Sequence, residues 1–199
     1  MALNANAVRV AVTGAAYVGP PGTTLPTDAE AVWPVGMVDV GWISDDGIVE
    51  GNEAESTEIK GWQGGQTVRK VVSSSEMTFQ FTCIETSKTV LELYHKGSKI
   101  ITTDGKSVLA IKAPGPDRRT FGFDVIDGDS HVRIAIPNGE VTETGEITYK
   151  GDEAIGYSLT ITAYPGADGT VAYKYSSDPA WADAPEGLAV DPDAAAINV

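Results

Sequence analysis

Residues 76–84 read Glu-Met-Thr-Phe-Gln-Phe-Thr-Cys-Ile, in which apolar and polar side chains alternate without a break. Successive side chains of a β-strand point to opposite faces, so the alternate apolar residues share one face. These residues are Met77, Phe79, Phe81 and Cys83. The stretch therefore predicts a strand with one face in a core and one polar face.

The same two-residue period recurs along the chain. It is clear again over residues 154–164, and shorter runs follow one another between turns rich in glycine and proline. The pair Asn138-Gly139 lies between two such runs, the second of them over residues 140–150, and this dipeptide favours a tight β-hairpin turn. We expect a mainly β protein of the sandwich or barrel type.

Residues 86–96 break this rhythm and are predicted to form a helix. Thr86 or Ser87 can cap its N-terminus, apolar residues recur on one face, and Gly97 is a typical residue just past a helix C-terminus. A single helix among many strands would cover one open face or one end of the sheet.

The segment 44–70 differs from the predicted strands on both sides. It reads SDDGIVEGNEAESTEIKGWQGGQTVRK, which is too polar and glycine-rich for a core and too long for an ordinary hairpin connection. It could be an extended arm that docks on a partner, or a mobile loop. We favour the arm, because Trp62 would be poorly placed in free solvent. Its apolar residues are the candidate anchors: Ile48, Val49, Ile59, Trp62 and Val68.

The chain reads as one domain with a tail. At 199 residues it is long enough for a single β domain with elaborations. We interpret residues 1–177 as that domain, including the arm and the helix. Residues 178–199 contain several prolines and acidic residues without periodicity, so we expect an irregular C-terminal tail there.

The chain is strongly acidic. It has 14 Lys and Arg residues against 28 Asp and Glu residues, which gives a net charge of −14. Non-specific affinity for DNA comes mainly from basic side chains on phosphates, so we expect no such binding. No run is long and apolar enough to span a membrane, and the N-terminus lacks the features of a signal peptide. We expect synthesis in a cytoplasm, and no membrane partner.

Residues that usually carry catalysis are scarce. The chain has two histidines and a single cysteine, and it lacks metal-binding spacings, phosphate loops and nucleophile motifs. Carboxylate pairs such as Asp127 and Asp129 fall in predicted turns, where aspartate bonds the local backbone; a calcium site is the alternative. We predict no enzymatic activity and no cofactor. The tryptophans leave open a carbohydrate-binding or adhesin β-sandwich: Trp33, Trp42, Trp62 and Trp181.

The run from Val40 to Ser98 carries a recognisable order of short motifs. Gly-Trp-Ile precedes Ser-Asp-Asp-Gly-Ile; then come Glu-Ile-Lys-Gly-Trp-Gln-Gly-Gly, Val-Arg-Lys-Val, Met-Thr-Phe-Gln-Phe and the predicted helix. This order resembles the tail tube (major tail) proteins of siphophages, particularly of phages that infect actinobacteria. The resemblance is close over this run and extends to the remainder only by architecture.

The resemblance implies an architecture and a role. Family members form a β-sandwich-like barrel with one flanking helix, close into hexameric rings and stack into a hollow tube that passes the viral genome. The long loop, here residues 44–70, would reach the neighbouring ring through Ile59 and Trp62. The implied partners are further copies of the chain, a tape measure protein in the bore, and terminator or distal tail proteins at the ends. The implied location is the virion tail, after assembly in the host cytoplasm.

Strands with one polar face would suit the wet bore of such a tube. An acidic bore would let DNA pass without specific binding, because it offers the phosphates no cationic partners. Another virion part, such as a tail terminator, is a further alternative. The expected bore-facing residues lie on two predicted strands: Thr78, Gln80 and Thr82 on one, and Glu140, Thr142, Thr144 and Glu146 on the other.

Overall fold

A computed structural model describes residues 7–62 and 64–181 of the chain. Within them the protein is mainly β, as predicted, with one α-helix and a short 3-10 turn at Pro179–Trp181. The helix is α1, Lys88–Tyr94. The strands are β1 Thr13–Gly19, β2 Val38–Asp39, β3 Ile43–Lys60, β4 Thr67–Cys83, β5 Ile100–Thr103, β6 Lys106–Leu109, β7 Arg118–Asp127, β8 Ser130–Thr144, β9 Tyr157–Ala163 and β10 Tyr173–Ser176.

Eight strands form one antiparallel sheet in the order β2-β1-β7-β8-β9-β4-β3, with β10 also paired to β8. The long strand β8 is shared: its first half pairs with β10 through residues 132–135, and its second half pairs with β9 through residues 139–144. Strands β5 and β6 form a separate two-stranded sheet. The sheet therefore branches at β8 into two parts.

The core lies where this sheet curls over on itself. Phe79 of β4 stacks on Phe123 of β7 with ring centroids 5.2 Å apart, although β8 and β9 separate these two strands in the sheet order. Phe81 meets the same ring edge-on at 5.5 Å. Val90 and Leu93 of α1 are buried against this cluster. The expected sandwich-like barrel with one flanking helix is confirmed.

The alternation over residues 76–84 produces the strand that it predicts. Phe79, Phe81 and Cys83 are buried and Met77 packs against the core, while Gln80 on the opposite face is exposed. The helix is shorter than predicted, but its cap is as expected, because the Ser87 hydroxyl accepts a hydrogen bond from the Val90 amide.

The predicted hairpin at Asn138-Gly139 is wrong. Strand β8 runs straight through this pair, and the turn between β7 and β8 lies instead at residues 127–130. The physical reason is packing: a Cβ added to Gly139 would lie 2.6 Å from the buried Phe121 ring, so glycine is needed there for close approach. The predicted strand over 140–150 correspondingly ends at Thr144.

The segment 44–70, expected to be an extended arm or a mobile loop, is built of two long paired strands, so only its length as a hairpin was misjudged. Nearly all of it belongs to β3 and β4, which pair with each other from Ile48–Phe81 out to Lys60–Thr67 and turn at residues 61–66. Backbone hydrogen bonds make the ladder without needing an apolar side-chain pattern, which is why the sequence did not reveal it.

The C-terminal boundary also moves. Asp178 is buried, and its carboxylate lies 2.5 Å from the guanidinium of Arg9, so it belongs to the body of the domain. The hydrogen bond from Arg9 holds the pKa of Asp178 below its ordinary value. Most of the tail predicted over 178–199, namely residues 182–199, lies outside the described residues.

Candidate assembly surfaces

The first surface is a hairpin that projects from the main sheet. Strand β9 accompanies β4 only as far as the pair Met77–Ala163, so residues 53–76 of β3 and β4 have no flanking strand in the described part of the chain. We call residues 53–76 the protruding hairpin. At about 3.4 Å per residue, the eight steps from Asn52 to Lys60 extend it roughly 27 Å from the body.

The protruding hairpin is exposed along its whole length. Apart from Gly61, every residue described in it is exposed, and the Trp62 side chain at its tip is 96% exposed. A two-stranded hairpin is only marginally stable in water unless another element packs on it. The hairpin therefore presents large apolar side chains that its own subunit does not cover.

Most of the predicted anchors lie on or beside this hairpin. Ile59, Trp62 and Val68 are exposed on it, and Val49 is exposed just before it. Ile48 was assigned wrongly to the same set, because it is partly buried and packs against the core of its own subunit. Sequence reasoning missed Val71 and Val72, although both follow the Val68 that it had singled out.

The second surface is the polar face of the strands β8, β9 and β4. Register places Thr78 beside Thr162 and Glu140, Gln80 beside Thr160, and Thr82 beside Ser158. Thr142 joins the same face, because its hydroxyl lies 2.9 Å from that of Thr162. We call this the polar face; five of the predicted bore residues lie on it, namely Thr78, Gln80, Thr82, Glu140 and Thr142.

Thr144 and Glu146 do not belong to the polar face, which corrects the prediction. A bulge in β8 sets both Thr142 and Glu143 opposite Thr160, and this extra residue shifts the alternation. Thr144 consequently aligns with Leu159, a core residue, and Glu146 follows the end of the strand. Glu143 replaces them on the polar face.

The polar face and the base of the protruding hairpin are acidic. Glu140 is paired with Arg118 at 3.1 Å. The other acids form no ion pair with any described base; Glu76 instead accepts a hydrogen bond from the Thr162 hydroxyl at 3.0 Å. The unpaired acids are Glu53, Glu55, Glu76 and Glu143.

A cleft of about 610 Å³ separates the free edge of β1 from the start of β3. Asp39, Asp45 and Glu85 line it, but two of these carboxylates serve the local backbone. Asp39 accepts from the Gly41 amide at 2.8 Å and Glu85 from the Trp42 amide at 2.9 Å. The cleft therefore marks the gap between two strand edges, and two of its three acids hold the turn at Gly41.

The candidate reactive side chains, a thiol and a carboxylate, are buried or hydrogen-bonded within the fold. Burial raises the pKa of the Cys83 thiol to about 12, so the reactive thiolate is strongly disfavoured. Asp127, beside a glycine turn, accepts a hydrogen bond from the Val10 amide at 3.1 Å, which is a long-range contact and not the local turn bond that was expected. In the ranges 7–62 and 64–181, no cluster of histidine, cysteine and acidic residues is arranged to hold a metal ion.

The tryptophans lie on different elements. Trp33 is held inside the subunit: it stacks on Tyr17 at 4.9 Å, and its indole nitrogen donates to Asp124 at 2.7 Å. The other three are exposed at the start of β3, at the tip of the protruding hairpin and after β10: Trp42, Trp62 and Trp181. This arrangement does not form the row of aromatic rings that a sugar platform would need. No helix in the part described is long and apolar enough to cross a membrane.

Comparison with known proteins identifies the family. A search of curated proteins returned no match. Among solved structures, the chain is similar to one titled "Crystal structure of Hcp protein", with a TM-score of 0.31 and 13% identity over 83% of this chain and 98% of that chain. The profile of the family described as "Phage tail tube protein" matches residues 1–186. Because this match covers nearly the whole sequence, the chain belongs to the phage tail tube protein family and is a structural subunit of a virion tail.

Proposed function

We propose that this protein closes into hexameric rings that stack into the hollow tail tube of a siphophage, through which the viral genome reaches the host. The observation that carries the proposal is the protruding hairpin. Its exposed apolar residues, Trp62 above all, have no cover within their own subunit. These residues would become buried by packing against a subunit of the neighbouring ring.

The polar face supports an assignment to the bore. Its threonines, serine and glutamine can be hydrated by the water in a channel, and its unpaired charges are acidic. An acidic, hydrated wall gives DNA phosphates no cations to bind, so the genome could slide without specific contacts.

Ring closure would use the open edges of the sheet. Strand β3 ends the main sheet on one side and β2 with the free part of β1 ends it on the other. Unpaired strand edges readily add another strand. Pairing edge to edge between neighbours would join the polar faces of all copies into one continuous barrel around the bore.

Other partners follow from this assembly. A tube of fixed length requires a tape measure protein in the bore, and its ends require a terminator and a distal tail protein. We propose that these associate with the stacked rings, and that assembly takes place in the host cytoplasm.

Negative-stain electron microscopy over a range of concentrations tests the proposal. The purified chain should form sixfold rings and then tubes, and replacement of residues 53–76 by Asn-Gly should prevent stacking. That dipeptide closes a tight hairpin between the directly opposed Asn52 and Met77, so the subunit should remain folded. A strictly monomeric wild-type protein, or tubes formed by the shortened variant, would refute it.

A further inference from the structure

The distribution of ion pairs divides the basic residues into two classes. Seven of the 14 Lys and Arg residues form ion pairs with carboxylates. The other seven have no carboxylate of the described chain within ion-pair distance, and they fall in two groups. One group is at the tip of the protruding hairpin: Lys60, Arg69 and Lys70. The second lies around β5 and β6: Lys96, Lys99, Lys106 and Lys112.

Strands β5 and β6, with the turn between them, form what we call the small hairpin, residues 100–109. It turns at Asp104-Gly105, where both residues have positive φ, and it stands apart from the main sheet. Ile101 and Val108 are direct cross-strand partners, 66% and 64% exposed, and Ile111, two residues after β6, is 66% exposed. The small hairpin thus presents an apolar strip with a rim of lysines on a molecule whose net charge is −14.

The protruding hairpin presents the complementary pattern. Glu53 and Glu76 are direct cross-strand partners, and Glu55 is the next residue on the same face. Like charges that face each other across a ladder are destabilising, and no described base relieves them. Closer to the tip, the same face carries the exposed Ile59 and Val71, which belong to neighbouring cross-strand pairs of that face.

We propose that the small hairpin of one copy receives the acidic section of the protruding hairpin of a second copy. Lysines of the first would neutralise Glu53, Glu55 and Glu76 of the second, and the strip at Ile101 and Val108 would lie near the apolar residues beyond them. The proposal rests on the proposed function, since it names the surface on which the protruding hairpin docks.

The occupant is a second copy of this chain because each subunit carries both halves of the contact. The two hairpins belong to separate sheets, and neither set of charges forms an ion pair with the other within the subunit. When each copy uses its two patches on two different neighbours, the contact propagates instead of closing as a two-fold dimer. That is the property a stacked tube needs.

Charge reversal tests the proposal. Lys99→Glu with Lys106→Glu, or Glu53→Lys with Glu55→Lys, should each raise the critical concentration for tube formation about tenfold or more, because attraction becomes like-charge repulsion. Combining both pairs should restore tube formation to near the wild-type level. Lys150→Glu, a lysine on a different loop, is the control for net charge and should have little effect.

Further measurements separate the possible failures. The rise in critical concentration caused by each charge-reversed pair should be smaller in about 1 M salt, because the screening length falls to about 3 Å there. If wild-type tubes form but reversal of the small hairpin does nothing, the proposal is wrong and the proposed function stands. The proposal is also wrong if tube formation by the variant Glu53→Lys with Glu55→Lys is restored by reversing the charges of Lys60, Arg69 and Lys70 and not by reversing those of the small hairpin. If the wild-type chain forms no tubes, the proposed function itself fails.

Discussion

Replacement of Trp62 by alanine separates assembly from folding. The side chain is 96% exposed, so its removal should change the free energy of unfolding of the subunit by no more than about 0.5 kcal/mol. A tryptophan that becomes buried covers about 150–250 Å². At about 25 cal/mol per Å², that area corresponds to roughly 4–6 kcal/mol before the costs of association are subtracted.

The net effect on assembly should therefore be smaller but still large. Interface anchors of this kind commonly cost about 2 kcal/mol or more when truncated, and 2 kcal/mol is roughly a thirtyfold change in an equilibrium constant. We expect the critical concentration for tube formation, measured by pelleting and electron microscopy, to rise by at least that factor. Urea unfolding of the variant monomer should superimpose on that of the wild type.

Tyr149→Ala is the matched control, because Tyr149 is an aromatic residue 74% exposed in a loop outside both assembly surfaces. It should leave the critical concentration unchanged. The reasoning fails if Trp62→Ala unfolds the isolated subunit, since Trp62 would then be part of a core. It also fails if Trp62→Ala forms tubes as readily as the wild type, since the tip would then contact nothing.

Three further outcomes follow from the structure. Phe79→Ala should lower the free energy of unfolding by about 3–5 kcal/mol in urea titrations, because its ring is fully buried; a change below 1 kcal/mol would contradict the core assignment. Gly139→Ala should cost about 1–3 kcal/mol, because the new Cβ meets the buried Phe121 ring, whereas Gly151→Ala, with open space around it, should be close to neutral. Amides of residues 53–76 should exchange quickly in the monomer and become protected in tubes; protection already complete in the monomer would show that the hairpin is stable alone.

The local part of the fold could be predicted because it depends on near neighbours. The alternation over residues 76–84 fixes which side chains share a face, and Ser87 marks the start of a helix through a capping rule that acts within a turn. These signals require no knowledge of the rest of the chain. They gave the class of the fold and the core face of β4.

The parts that failed depend on which strand lies beside which. Asn138-Gly139 favours a turn in isolation, but here Phe121 of the neighbouring strand occupies the space beside the glycine, and the strand continues. The faces of Thr142 and Thr144 likewise depend on a bulge opposite Thr160. A single inserted residue reverses every later side chain, and the sequence of β8 alone contains no sign of where it occurs.

The polar sequence of the protruding hairpin indicated that this segment is exposed. The same polar sequence hid the fact that it forms two paired strands. Its two strands face solvent on both sides, so no apolar alternation is imposed on them. Val71 and Val72 could have been added to the candidate anchors, since they continue the apolar residues begun at Val68. Ile48 could not have been removed without the register that places it opposite Phe81.

The continuity of β3 and β4 explains how a polar hairpin can be held in a defined position. The same strand carries Phe79 in the core and Glu76 at the base of the hairpin. A slip of one residue in β4 would turn its buried phenylalanines toward solvent, so the core fixes the register of the hairpin as well. The hairpin therefore needs no apolar packing of its own to be aligned, and its exposed residues are free to serve contacts with other copies. Its charges discourage unspecific pairing of the exposed edge, so substitutions there should alter assembly while leaving the stability of the subunit almost unchanged.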